Sequence, residues 1–307
     1  MSLQLTSGDI LKRLLVGSRW VFGPAAVAFL IVSFWRARVT LQAVLLQAEV
    51  PPLILTIALW ALLHLLTPLL SALVLREIGT AVDYRTALAI HVGRLPARYL
   101  PGGIWHTVSR VMDLHRLGVS RSQLSVLVLL ENLVPVGTAL TVGGLCLWAA
   151  GGLRLPLAIA AVLGGVLLLS CIPLLLRHRA LLHRCGYAPG AYLKVVAVTA
   201  VFWLVAASAF ACYWSAFPAA RAGIPILQVY GTYLLAWVIG FISVFAPQGI
   251  GVFESVAGVL LKGALSFGGV AVLAAGFRVA ILAADALAYA ILHALRYIRR
   301  LRHATEH

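Results

Sequence analysis

Long apolar runs alternate with short polar segments along the whole chain. Runs 53–75, 122–148, 155–176, 195–217 and 270–292 each reach the roughly 20 residues that a helix needs to cross a bilayer. Residues 20–35 form a shorter run with Trp20 and Trp35 at its ends, where amphipathic rings anchor a helix at the interface. Two stretches depart from this pattern. Residues 86–100 are apolar but too short to span, and they carry His91, Arg94 and Arg98 before running into Pro101-Gly102-Gly103-Ile104. Residues 226–245 run into Pro247-Gln248-Gly249-Ile250, and a short apolar segment, 250–265, follows. Both junctions read Pro-x-Gly-Ile. Proline cannot continue a helix, and glycine turns the backbone where side chains would clash. Each junction therefore predicts a helix broken within the membrane, a half-span in and a half-span back. Such backbone is tolerated at that depth only where protein or a wet cavity shields it.

Composition makes the membrane reading firm. Hydrophobic residues are 62% of the 307, charged residues only 11%, and mean hydropathy is +1.01. A soluble domain could not hide that much apolar surface. No polar stretch is long enough for a separate soluble unit, so residues 1–307 are read as one membrane domain. The four cysteines form no CxxC pair and read as small buried hydrophobes, without a disulfide or metal site. The N-terminus shows no small-residue cleavage site after a short apolar core, so no removable signal is expected.

The net charge of +15 sits mostly in the segments between apolar runs. That placement is the cytoplasmic bias of membrane proteins and argues against nucleic-acid binding. The loop 177–194 and the tail are the most basic, which places both, with the N-terminus, in the cytoplasm. The spans then alternate only if each broken segment returns to its own side. Hairpin 86–118 opens to the cytoplasm and hairpin 226–265 to the outside. The expected fold is an all-α integral membrane protein of about six full transmembrane helices plus two re-entrant hairpins in an inverted repeat. Repeat 1 covers 53–148, 155–176 links, and repeat 2 covers 195–292. Paired interrupted helices point to a transporter's midplane site.

Polar residues inside these segments are the candidate substrate-binding groups. Arg94 and Arg98, one turn apart, would offer two guanidinium forks to a lipid phosphate, or else snorkel to headgroups. His106, Arg110 and Asp113 recur at i, i+4 and i+7, one stripe of a helix. Gly102, Gly103 and Trp105 at the first break, and Gln248, Gly249 and Gly251 at the second, stand where free N–H groups of a helix start would favour an anion. Glu254 lies in the first turn after the second break, where an acid also stabilises the helix start. Glu131 is mid-span beside Asn132. Arg278 and Asp285 share a face of the last span, as substrate contacts or as partners of Glu131 or Glu254. His64 reads as a hydrogen-bonder between helices. No nucleophile elbow, P-loop, HExxH or dinucleotide fingerprint occurs, so neither catalysis, a cofactor nor a metal is expected.

The stretch Leu100-Pro101-Gly102-Gly103-Ile104-Trp105, with Arg110 and Leu114-His115-Arg116-Leu117-Gly118, resembles the first signature of the lysylphosphatidylglycerol synthase transmembrane family. Ala246-Pro247-Gln248-Gly249-Ile250-Gly251-Val252-Phe253-Glu254 resembles its second, with Gln248 where glycine is usual. The resemblance runs from about Leu53 to Leu295. It implies a flippase-like protein of the bacterial inner membrane that moves an anionic, aminoacylated or polyprenyl-phosphate-linked lipid. The alternative is a non-transporting scaffold that presents a lipid to a glycosyltransferase or synthase. A phosphate-bearing lipid is the expected partner. A lipid-modifying enzyme and a second copy of the chain are the protein partners this reading allows.

Overall fold

The computed structural model describes residues 27–305 except 37, 101–103, 178–188, 244–245, 262 and 264; the side chains of 177, 189, 247 and 299–305 are likewise left aside. The described residues are helices joined by short turns and contain no strand. Helix α1 is a bent pair, Val27–Arg36 and Arg38–Leu46, turned by 78°. Then follow α2 (Val50–Glu77), α3 (Tyr84–Gly93), a 3-10 turn (Leu95–Tyr99), α4 (Trp105–Arg116), α5 (Arg121–Ala149) and α6 (Leu155–Arg177). Next come α7 (Pro189–Ser215), α8 (Pro218–Arg221), α9 (Ile226–Ile242), a 3-10 turn (Pro247–Gly249), α10 (Val252–Leu260) and α11 (Phe267–Thr305). Among the described residues five helices, α2, α5, α6, α7 and α11, are long and apolar enough to cross a membrane, or six if α1 counts as one span. The all-α, multi-pass membrane architecture agrees with the sequence. The tail differs, because α11 continues past Leu292 through the basic residues to Thr305. Any part of the expected first run before Val27 lies outside the described residues.

Local chemistry explains the helix ends. Ser120 starts α5 with a capping box, in which Gln123 N–H donates to Ser120 Oγ and Ser120 N–H to Gln123 Oε1. Asp83 starts α3, accepting from the Thr86 N–H at 2.9 Å and the Thr86 hydroxyl at 2.6 Å. Those hydrogen bonds hold its carboxyl below the usual carboxylate range.

Both interrupted segments double back. Gln228 near the start of α9 donates to the Leu260 carbonyl at the end of α10, at 2.6 Å. Thr86 near the start of α3 and Leu117 just after α4 line one cleft. The two bases lie at opposite ends of the bundle, as α2 shows. At the start of α2, the Glu49 N–H donates to the Ala216 carbonyl at 2.8 Å and the Glu49 carboxylate pairs with Arg221. The base of the second hairpin is at this end, where Gly152, after α5, packs against Gln228. At the other end of α2, Glu77 meets Lys194, and the Ile78 carbonyl accepts from Gln123. Arg296 donates there to the Ala89 carbonyl of the first hairpin.

Aromatic rings hold the second hairpin in place. Phe210 of α7 lies 5.3 Å from Tyr233 of α9, 6.0 Å from Phe253 of α10 and 5.0 Å from Phe277 of α11, centroid to centroid. Elsewhere small residues let backbones touch, as is usual where lipid removes the hydrophobic incentive for helices to associate. A Cβ on Gly165 of α6 would meet the Gly137 carbonyl oxygen of α5 at 2.6 Å and also strike Thr141. Gly165→Ala should therefore force α5 and α6 apart and lower stability by about 1–3 kcal/mol, the usual cost of overpacking. Thermal unfolding of the purified variant checks this; a melting temperature equal to the parent's would show that the two helices separate freely.

Candidate functional site

The end of the segment that leads into the first break meets the second break against α11. Gln248, at the tip of the second hairpin, sits at φ 52°, a left-handed conformation uncommon for a residue with a side chain. Its side-chain amide donates to the Arg98 carbonyl at the tip of the first. Beside it, Gly249 (φ 67°) presses on Gly240 of α9, where a Cβ would lie 2.8 Å from the Gly240 Cα. That contact accounts for glycine at position 249 on both conformational and steric grounds.

Each tip is gripped by one charged residue of α11. Asp285, buried to 1% exposure, reaches the first. Its carboxylate accepts from His64 Nε2 at 2.9 Å, from the Tyr99 hydroxyl at 2.8 Å and from Arg98 Nη1 at 3.2 Å. Arg278, two turns earlier, reaches the second. Its Nε donates to Glu254 Oε1 at 2.6 Å, and both its Nη atoms lie 3.4 Å from the Gln248 carbonyl oxygen. Glu254 is fully buried and its other oxygen accepts the Gly251 N–H at 2.6 Å. The carboxylate thus caps α10 and neutralises Arg278 together.

A line of histidines leads away from Asp285. His64 Nδ1 and His91 Nε2 are 3.3 Å apart, and the His91 and His106 rings meet edge to face at 5.1 Å. With His64 giving its Nε2 proton to Asp285, its Nδ1 accepts from His91 Nε2. Nδ1 of His91 is then a bare acceptor, and it is buried with no hydrogen-bond partner among the described residues. A third charged group lies lower in the first hairpin. Arg110 donates to both oxygens of Glu131 at 2.9 and 3.3 Å, and to Ser71 Oγ at 2.8 Å. This pair lines a 160 Å³ cavity together with Asn132 and the rings of Phe202, Trp237 and Phe241.

Compared with known proteins, the chain matches no family model and no curated sequence.

The structure therefore has to carry the assignment of the site residues. It brings Arg98, Gln248, Glu254, Arg278 and Asp285 into one charged centre, and joins His106 to it through His91 and His64. Arg278 takes Glu254 as its ion-pair partner. The stripe His106, Arg110 and Asp113 faces inward, each residue with its own partner: His91, Glu131 and Arg94. Trp105 opens α4 and is half exposed. Gly102 and Gly103 lie outside the described residues.

Two expectations are corrected. Arg94 and Arg98 do not act as a pair. Helix α3 ends at Gly93, and a 3-10 turn containing Pro96 follows. This change of winding sends Arg94 to Asp113, at 2.6 and 2.9 Å, and Arg98 to Asp285. The backbone of the second break is also not an open anion nest. The Gly249 N–H bonds the Ala246 carbonyl, and the Gly251 N–H is taken by Glu254. Sequence reasoning passed over Tyr99 and Ser71 as site residues. Their signal was slight: Tyr99 lies just before the break, and Ser71 is one hydroxyl in an apolar span.

Proposed function

We propose that the protein moves a phosphate-bearing lipid across the bacterial inner membrane, with both termini in the cytoplasm. The observation that carries this reading is the contact of the second break with the segment that leads into the first, Gln248 to Arg98, flanked by the ion pairs of α11. Interrupted helices whose tips converge among buried charges are the arrangement transporters use for a midplane site. Ionisable groups at that depth are costly and mark a pathway for substrate or protons. The likeness of both Pro-x-Gly-Ile stretches to flippase-like sequences supports the same reading, as does the reading of the two halves as an inverted repeat.

The mechanism follows from how the charges are paired. Within the centre each carboxylate holds one arginine, Asp285 with Arg98 and Glu254 with Arg278, and lower in the first hairpin Glu131 holds Arg110 in the same way. A centre closed on itself needs no substrate to be neutral. Arg98 is its most exposed member, with its side chain 39% exposed against 32% for Arg278. A headgroup phosphate competes with Asp285 for this guanidinium, and Asp285 keeps His64 and Tyr99 when Arg98 turns away. Parting Gln248 from Arg98 would then open the tips on one side while the other stays shut.

Reconstitution into liposomes with fluorescent phosphatidylglycerol tests the proposal. The protein should speed exchange between leaflets, and Arg98→Ala should slow it by about tenfold or more, the worth of one charge-assisted hydrogen bond. Exchange no faster than in protein-free liposomes, with phosphatidylglycerol, its aminoacyl form and a polyprenyl phosphate alike, would reject transport in favour of a scaffold.

A further inference from the structure

The arginines of the centre are each matched by an acid, but those at the base of the first hairpin are not. There a cleft of 470 Å³ opens between α3, α4 and the C-terminal part of α11. Its walls carry Arg94, Arg116 and Arg296 against one acid, Asp113, which leaves the cleft at 3 − 1 = +2. The volume lies within the roughly 300–1,000 Å³ typical of small-ligand sites.

The three guanidinium groups come from three elements and are held differently. Asp113, largely buried, clamps Arg94 through Nε and Nη2, which leaves Nη1 of Arg94 outside the fork. Arg116 touches the same carboxylate only at 3.4 Å and is 70% exposed. Arg296 crosses from α11 to donate to the Ala89 carbonyl at 3.4 Å, and its Nη1 would lie 4.0 Å from a Cβ at position 93. Glycine at 93 leaves that side of the cleft open. Asp113 thus chiefly orients Arg94, while the two further arginines lining the cleft, Arg116 and Arg296, make only long contacts of 3.4 Å. Arginine forks match the oxygens of a phosphate, and several on one anion give both charge and geometry.

We propose that this cleft is a phosphate-binding site, separate from the charged centre between the breaks. Its ligand chemistry is a phosphate mono- or diester anion. Its position at the basic end of the bundle suits a headgroup of the adjoining leaflet as well as a free phosphate compound. Arg116 and Arg296 are the ligand-holding residues, Arg94 contributes through Nη1, and Asp113 positions Arg94. The assignment does not rest on transport, because binding alone reports it.

The full-length protein in detergent would be titrated calorimetrically with dihexanoyl phosphatidylglycerol, with inorganic phosphate, and with dihexanoyl glycerol as the phosphate-free control. The lipid should bind and the control should not. The double variant Arg116→Ala/Arg296→Ala should weaken binding by about tenfold or more, and Arg116→Lys/Arg296→Lys should recover part of it. Both arginines are exposed, so the folded protein is expected to persist; an unchanged melting temperature checks this. Displacement of the lipid by inorganic phosphate identifies the anion alone as sufficient, and failure of displacement identifies a lipid source. Two results would overturn the site. One is unchanged affinity in the alanine variant. The other is an equal loss from Arg85→Ala/Arg121→Ala, exposed arginines outside the cleft, since that would reveal only the general attraction of a basic surface for anions.

Discussion

Arg278→Ala is expected to destabilise the protein by about 4 kcal/mol, and Glu254→Ala by less, nearer 3 kcal/mol. The order follows from burial. Glu254 is fully buried, whereas the Arg278 side chain is 32% exposed. Removing the arginine strands a carboxylate that cannot reach water and keeps only the Gly251 N–H. Removing the carboxylate strands a guanidinium on a long stem that can turn outward, although it also uncaps α10. Glu254→Gln should be milder still, because glutamine can also accept from the helix-start N–H in a capping box. Equilibrium unfolding of the three variants in detergent measures the series. If Glu254→Ala proves the worst, the capping role outweighs the ion pair and the electrostatic account of the second break fails. Under the transport proposal, Glu254→Gln should also lose lipid exchange while staying folded.

The second large effect is expected at Asp285. This carboxylate ties the first break to α11 through Arg98 and Tyr99, and to α2 through His64. Asp285→Ala leaves Arg98 without its carboxylate and His64 without its acceptor, at a cost of about 3 kcal/mol or more. The loosening should be local, because the second hairpin is held separately by Arg278 and the aromatic cluster around Phe210. Hydrogen–deuterium exchange should quicken over residues 91–100 and stay unchanged over 226–242. Asp285→Asn should fall between, since one amide oxygen can accept but its NH₂ group cannot. Equal acceleration in both hairpins would show that the breaks are one cooperative unit rather than two separately held tips.

Much of this architecture was legible in the amino-acid pattern, for identifiable reasons. The long spans declare themselves because a bilayer needs about 20 apolar residues whatever surrounds them. The breaks declare themselves because proline and glycine act locally. The Glu254 cap could also be read, since an acid three residues after a glycine fits a helix start. The partners of the arginines could not be read from helical spacing. Placing Arg94 beside Arg98 assumed an unbroken helix, and Pro96, which disfavours helical backbone at Leu95, was the sign against it. Gln248 reaching Arg98 across 150 positions in sequence is a tertiary fact with no local trace. The same holds for His64, where one polar residue in an apolar span announces a partner but does not name Asp285.

Helix α11 carries three grips on one side of the protein's fortunes: Arg278 on the second tip, Asp285 on the first, Arg296 on the cleft. Eighteen residues separate the outermost two, about 27 Å at 1.5 Å per residue. A hydrogen-bonded helix of that length behaves as a stiff rod rather than a tether. Sliding or turning it cannot release one grip while leaving the other two in register. On the proposed phosphate site, ligand caught in the cleft would therefore act at the far end of a lever whose other points of purchase are the two hairpins.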